Sequence, residues 1–203
     1  MTRAEFIAPF KEIPSLGLVT GAFLLTFAIF TPITFIIVEA GINGMSPDLT
    51  QYLLAMLNAA SLFGRLFSGA LADVIGRFNV FIFVCYTAGI LMLALWIPAS
   101  SNAGTIVFAI LFGFFSGAYV SLLPALIAQL SPPKEVGTRQ GAMFLFASFG
   151  GLTTGPIAGA ILRHDNNSFF SVKIYAGVFC IAGTSVLLAT RVHATGWKLF
   201  VKY

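Results

Sequence analysis

The sequence predicts an all-α membrane protein that crosses the bilayer six times. Of its 203 residues, 58% are hydrophobic and only 9% are charged, and the mean hydropathy is +0.95. A soluble domain carries about a quarter charged residues, so this chain lacks the polar surface of a soluble or disordered protein. Its net charge of +4 is scattered between apolar runs, which also excludes a nucleic-acid binder.

Six apolar runs are long enough, or nearly so, for helices that cross about 30 Å of hydrocarbon. They are residues 15–38, 52–71, 80–97, 106–128, 142–162 and 174–190. Helix is the predicted conformation because lipid cannot satisfy an open strand edge, and because the runs lack the alternation of barrel strands. We expect residues 15–190 to form the bundle, between an N-terminal segment 1–14 and a tail 191–203.

Lysine and arginine predict the orientation of the helices, since short cytoplasmic loops carry an excess of both. Two of these cations, Arg163 and Lys173, fall on one predicted side. Eight fall on the other side, namely Arg3, Lys11, Arg77, Lys134, Arg139, Arg191, Lys198 and Lys202. Both termini are therefore predicted to be cytoplasmic, with the aromatic and basic tail anchored at the lipid–water interface.

One arginine within an apolar run is the strongest candidate for a functional residue. Arg65 lies in the run 52–71, where a charge is costly unless it faces a cavity or a partner. Asn58, Ser61 and Ser68 are spaced so that all four lie on one face of a helix. A guanidinium matches the geometry of a carboxylate, so these four residues are predicted to line the path of an anion. The alternative is a structural arginine that reaches the interface or binds neighbouring carbonyl groups.

The loop after this run carries a motif. Residues 69–77 read Gly-Ala-Leu-Ala-Asp-Val-Ile-Gly-Arg, and Gly76 permits a tight turn before the next helix. This segment resembles the cytoplasmic G-x-L-A-D-x-x-G-R signature of the major facilitator superfamily. The resemblance implies that Asp73 and Arg77 form a charge network that latches a cytoplasmic gate, and that Gly69 and Gly76 belong to the same gating segment. The alternative is an ordinary capping turn.

Further segments narrow the resemblance to the C-terminal half of monocarboxylate-transporter-like permeases, especially the fungal type. These segments are residues 112–124, residues 131–141, Phe30-Thr31-Pro32 and Gly155-Pro156. The resemblance covers residues 15–191 and implies a six-helix half-bundle of two inverted three-helix repeats, similar to helices seven to twelve of a twelve-helix transporter. It places Arg65 on the family's substrate-binding arginine. Ser61 stands where animal members often have an aspartate, so the usual acidic partner for proton coupling is missing.

The fifth run carries a row of small residues. Gly151, Gly155 and Gly159 recur every fourth residue, a spacing that lets helices approach closely. Pro156 removes one hydrogen bond from the helix ladder. The row is predicted to serve either as a bending element or in plain tight packing.

Other chemistries find no support in the sequence. We recognise no nucleophile with a base, no phosphate loop and no metal-ligand spacing, and therefore expect no enzyme, cofactor or metal. Glu39 lies at the end of the first run and is expected to be a solvated end residue rather than a proton site.

These features lead to a functional hypothesis of secondary transport of a small organic anion, similar to a monocarboxylate, by a multi-pass protein of the plasma membrane. Arg65 would bind the carboxylate. The expected partners are membrane lipid and a second six-helix half, either a missing N-terminal half or another copy. The alternative is a truncated, non-transporting half-bundle that acts only through a partner.

Overall fold

A computed structural model of the chain describes residues 12–196, apart from the side chains of residues 194 and 195. It contains six long helices: α1 (Ile13–Ile42), α2 (Pro47–Ile75), α3 (Arg77–Leu91, continued by a π-helical turn, Met92–Trp96), α4 (Asn102–Leu130), α5 (Val136–His164) and α6 (Phe170–Thr195). Each predicted run falls on one of these helices, so the predicted fold class is confirmed. Most of the predicted segment 1–14 and of the tail 191–203 lies outside the described residues.

Proline, glycine and serine set several helix ends. Pro14 and Pro47 lie in the first turns of α1 and α2, where the missing N–H would have no helical partner anyway. Gly76, between α2 and α3, has a φ of 93°, a left-handed conformation that glycine adopts without steric cost. Ser101 caps α4 by accepting a hydrogen bond of 3.1 Å from the N–H of Gly104.

The packing follows a repeated pattern. Helix α2 packs most extensively on α4, and α1 packs most extensively on α6. If α1, α2 and α3 are matched with α4, α5 and α6, the α2–α4 contact corresponds to an α5–α1 contact. In the same way, the α1–α6 contact corresponds to an α4–α3 contact. Both of these corresponding contacts are present. This exchange is the expected relation between two three-helix repeats in one bundle.

Apolar side chains face both the interior and the outside of the bundle. Phe81 and Phe108 are fully buried, whereas Leu66 and Leu152 are 66% and 74% exposed. In water such a surface would promote aggregation, but hydrocarbon solvates it without penalty. All six helices are long and apolar enough to cross a membrane. The protein is therefore an integral, multi-pass membrane protein.

Glycines bring α2 and α4 into close contact. A Cβ added at Gly64 would collide with the backbone carbonyl of Phe114, and one added at Gly113 would collide with the backbone of Leu57. Gly117 meets Ser61 in the same way. Small residues at a contact let two helix backbones approach, which strengthens van der Waals packing in lipid.

Candidate functional site

The structure divides the predicted polar face of α2 into two rows. Ser61 and Ser68 are only 6% and 2% exposed, and the row they share packs against α4. The Ser68 hydroxyl donates to the carbonyl oxygen of Arg65 at 3.2 Å. Asn58 and Arg65 lie about 60° further round the helix axis and are exposed. Arg65 and Asn58 are therefore the accessible members of the predicted set, and the binding roles of all four residues stay predictions.

A cleft of about 330 Å³ opens between α1, α4 and α5. It is lined by Thr26, Phe30, Tyr119, Val120, Leu123, Phe144, Ala147, Ser148 and Gly151. Thr26 and Tyr119 are buried and form its floor, whereas Phe144 and Ser148 are exposed at its mouth. Mostly apolar walls with a few hydroxyl groups are typical of small-molecule pockets. Sequence reasoning missed this cleft because α1 is distant in the chain from α4 and α5.

The floor of the cleft holds a weakly bonded phenol. Within residues 12–196, the Tyr119 hydroxyl lies 3.4 Å from both Thr26 Oγ1 and the carbonyl oxygen of Ala22. Hydroxyl hydrogen bonds are usually about 2.7 to 2.8 Å long. The Thr26 hydroxyl donates its own hydrogen to Ala22 at 2.9 Å. Stacking on Phe81, with ring centroids 5.8 Å apart, fixes the Tyr119 ring.

Arg65 and the cleft lie on the same face of the α2–α4 pair. Phe67 and Ala118 line a small cavity against α3. Around the axis of α2, Arg65 lies about 160° from Phe67. Around the axis of α4, Val120 lies about 160° from Ala118. Both residues are therefore on the side of their helix turned away from α3, which is the side where the cleft opens.

Arg65 also lies at the depth of the cleft. Leu57 meets Gly113 and Ser61 meets Gly117, so the two helices run in the same direction at this contact. Together with the contact of Gly64 with Phe114, these pairs place Arg65 between the levels of Phe115 and Ser121 on α4, a stretch that includes the cleft residues Tyr119 and Val120. Arg65 and the cleft therefore lie on the same face of the bundle and at a similar depth.

The turn between α2 and α3 contains the predicted gating residues. Asp73 is exposed in the last turn of α2, and Arg77 donates a hydrogen bond of 3.4 Å to the carbonyl oxygen of Ala125 on α4. A Cβ added at Gly69 would meet no atom within 4 Å in the structure. Arg77 therefore attaches the turn to α4, and the gating roles of Gly69, Asp73, Gly76 and Arg77 stay predictions.

The glycine row of α5 packs on none of the described residues. A Cβ added at Gly151, Gly155 or Gly159 would meet nothing within 4 Å among residues 12–196. Gly150, which the row did not include, lies against Thr26 of α1 instead. Helix α5 continues through Pro156 without a break. A bending or packing role for the row stays a prediction, and any tight packing would require a partner outside this bundle.

Glu39 is not a solvated end residue, and that interpretation was wrong. It is 4% exposed and forms an ion pair with Lys173, which is 5% exposed. The indole N–H of Trp96 donates to Glu39 at 2.7 Å, and Lys173 donates to the carbonyl oxygen of Trp96 at 2.8 Å. Burial is possible because both charges are paired and hydrogen-bonded. The pair joins α1 to α6, and sequence alone carries no signal that links two such distant residues.

A second charge cluster joins the start of α1 to the start of α5. Arg139 is 6% exposed and donates to both carboxylate oxygens of Glu12, at 2.7 and 2.9 Å, and to Glu135 at 3.0 Å. The hydrogen bonds from Arg139 lower the pKa of the Glu12 carboxyl below its ordinary value. The cluster lies on the predicted cytoplasmic side and ties the first repeat to the second.

Replacing Arg139 with glutamine is expected to loosen this end of the bundle. We expect a loss of about 1 kcal/mol rather than more, because Glu12 is half exposed and solvent screens the pair. The lowered pKa means that the Glu12 contribution is present above its ordinary pKa and is lost as pH falls through the lowered value. Hydrogen exchange of residues 13–20 in wild type and variant, at pH 7 and pH 3, measures both effects. Equal exchange in the two proteins at pH 7 would contradict the prediction.

Comparison with known proteins identifies related chains. The model of the Major Facilitator Superfamily matches residues 16–200. The chain is 56% identical to "MFS transporter asaE" of Aspergillus flavus over 98% of its own length and 45% of that protein. It is 46% identical to the "Fujikurins efflux protein" of Gibberella fujikuroi over 98% of its length and 43% of that protein. It is 37% identical to the "Aspyridones efflux protein apdF" of Emericella nidulans over 92% of its length and 38% of that protein. The chain thus spans less than half the length of these curated relatives.

Proposed function

Because the chain belongs to the major facilitator superfamily, we propose that it forms one six-helix half of a transporter for a small organic anion. The relatives it matches are transporters about twice as long as the matched region. A transporter of this kind binds its solute between two bundles that rock against each other. The solute class is a proposal that starts from Arg65.

The observation that carries the proposal is the position of Arg65. It is an exposed cation on a membrane-spanning helix, beside Asn58 and at the depth of an open cleft. A charge in a membrane span usually marks a solute or ion pathway, and a guanidinium binds a carboxylate through two parallel hydrogen bonds. A monocarboxylate or another singly acidic organic solute fits this site.

The outer faces of α2 and α5 support a partner bundle. Ala55 and Ala59 are exposed on α2, and Gly69 has open space around it. The α5 row Gly151, Gly155 and Gly159 is similarly open. Small residues are what a second bundle needs for close approach in lipid. We propose that the other six-helix half of the transporter, or a second copy of this chain, packs here.

Export is the proposed direction of transport. Two of the relatives are named efflux proteins, for fujikurins and for aspyridones. The excess of lysine and arginine on one predicted side supports cytoplasmic termini, and the plasma membrane is the proposed location. Asp73 and Arg77 would then close the cytoplasmic side, with Arg77 transmitting movement of α4 to the turn.

A chimera with a named relative tests transport. We replace the matching segment of the Fujikurins efflux protein with this chain, express the chimera in yeast and measure exported fujikurins by mass spectrometry. The chimera is expected to export. Arg65→Ala should reduce export about tenfold or more if the exported solute binds through the guanidinium, and Arg65→Lys should retain part of it because the charge remains.

Two controls make the result decisive. Arg163→Ala removes another exposed cation, at the end of α5, and should leave export unchanged. A second chimera carries the matching segment of the asaE transporter and shows whether halves from different relatives can pair. If that control exports while the chimera with this chain reaches the membrane and does not, the chain is a non-transporting half-bundle. Full export by Arg65→Ala would contradict the proposal that Arg65 binds an anionic solute.

A further inference from the structure

We infer that the cleft between α1, α4 and α5 binds an uncharged, apolar part of the solute and recognises one carbonyl group in it through the Tyr119 hydroxyl. The inference rests on the proposed function only in naming the occupant a transported solute. The binding site itself is argued from the cleft.

The size and lining of the cleft define the occupant. A volume of about 330 Å³ accommodates one or two rings or a branched chain, but not a helix of about 10 Å diameter. The lining residues carry no charge, so an acidic group would be desolvated there without a partner. The acidic part of the solute therefore belongs at Arg65, and the apolar part belongs in the cleft.

The floor of the cleft selects for a hydrogen-bond acceptor. The Thr26 hydroxyl already uses its hydrogen on Ala22, whereas both contacts of the Tyr119 hydroxyl are long. A carbonyl oxygen about 2.7 Å from Tyr119 would be a better acceptor than either of them. Since stacking on Phe81 holds the ring, little freedom is lost when this bond forms.

The mouth of the cleft offers a way to close it. Gly151 lies there, and a Cβ at this position meets nothing within 4 Å. A leucine side chain at residue 151 can therefore start without a backbone collision and is expected to fill part of the cleft. The same argument makes Gly151 a residue that sets the size of the occupant.

Benzophenone is a suitable probe because it combines two apolar rings with one carbonyl and forms covalent adducts on irradiation. The full chain in lipid nanodiscs is irradiated over a range of benzophenone concentrations, and the adducts are mapped by mass spectrometry. Benzophenone bonds through its carbonyl carbon, so saturable labelling is expected near Tyr119, at Thr26 or Leu123. Tyr119→Phe should weaken it about fivefold, which corresponds to one hydrogen bond. Gly151→Leu should abolish it, and Tyr52→Phe, at an exposed tyrosine outside the cleft, should change nothing.

Competition on the wild-type chain provides a measurement that needs no variant. Diphenylmethane has the same two rings without the carbonyl, and it should compete about fivefold less well than unlabelled benzophenone. Equal competition, together with equal labelling of Tyr119→Phe, would overturn carbonyl recognition. Labelling that does not saturate, or that persists in Gly151→Leu, would overturn the site. If the chain in nanodiscs shows saturable labelling but the chimera in yeast fails to export, the proposed function is overturned and this binding site is not.

Discussion

Replacing Lys173 with methionine is expected to destabilise the bundle by about 3 kcal/mol or more, since Glu39 would stay buried without its cation. Both residues are at most 5% exposed, and their charges are paired with each other and hydrogen-bonded to Trp96. Removing one charge leaves the desolvation cost of the other without compensation. The expected result is a clear fall in the thermal unfolding midpoint of the purified chain in detergent.

A double variant separates the ion pair from simple packing. Glu39→Gln combined with Lys173→Met removes both charges and keeps an oxygen that can accept from Trp96. It should recover most of the lost stability, because an apolar replacement of a buried pair is often nearly neutral. Lys134→Met, at an exposed lysine in the loop before α5, is the matched control and should have little effect. An unfolding midpoint for Lys173→Met equal to that of wild type would show that Glu39 is solvated after all.

Replacing Gly64 with leucine is expected to separate α2 from α4. Even the first carbon of a side chain would collide with the carbonyl of Phe114, and a helix backbone cannot move aside alone. We expect a loss of about 3 kcal/mol or more, at the upper end of overpacking in a well-packed core. Ser61 and Ser68 share this contact, so the position of Arg65 would shift as well.

Gly69 on the same helix provides the matched comparison. It lies on a more open part of α2, where an added Cβ would meet nothing within 4 Å in the described bundle. Gly69→Leu should therefore leave the unfolding midpoint of the chain close to that of wild type. Similar losses in both variants would show that glycine content, rather than the α2–α4 contact, determines the effect.

Length and hydropathy were enough to predict the six helices. Each apolar run is bounded by turn residues such as Pro47 and Gly76, and lipid leaves helix as the available conformation. The predicted runs are shorter than the helices because polar ends such as the first turn of α5 continue the helix into the interface.

The candidate site was predicted only in part, for reasons of geometry. Spacing placed Asn58, Ser61, Arg65 and Ser68 on one broad face, but it could not show that α4 covers the half of that face with the serines. The same limit applies to glycine. The four-residue spacing pointed to Gly151, but the close contacts occur at Gly64 and Gly150. A spacing pattern could not predict this because it does not identify the neighbouring helix.

Helix α1 is held by an ion pair at each end, through Glu12 with Arg139 and through Glu39 with Lys173. A rod restrained at two points cannot change its tilt against α5 or α6 unless one of those pairs breaks. It can still flex between them, and Pro32 leaves the carbonyl of Ala28 without its usual backbone donor within that interval. We therefore expect any bending of α1 to be concentrated at its middle, next to Phe30 at the edge of the cleft.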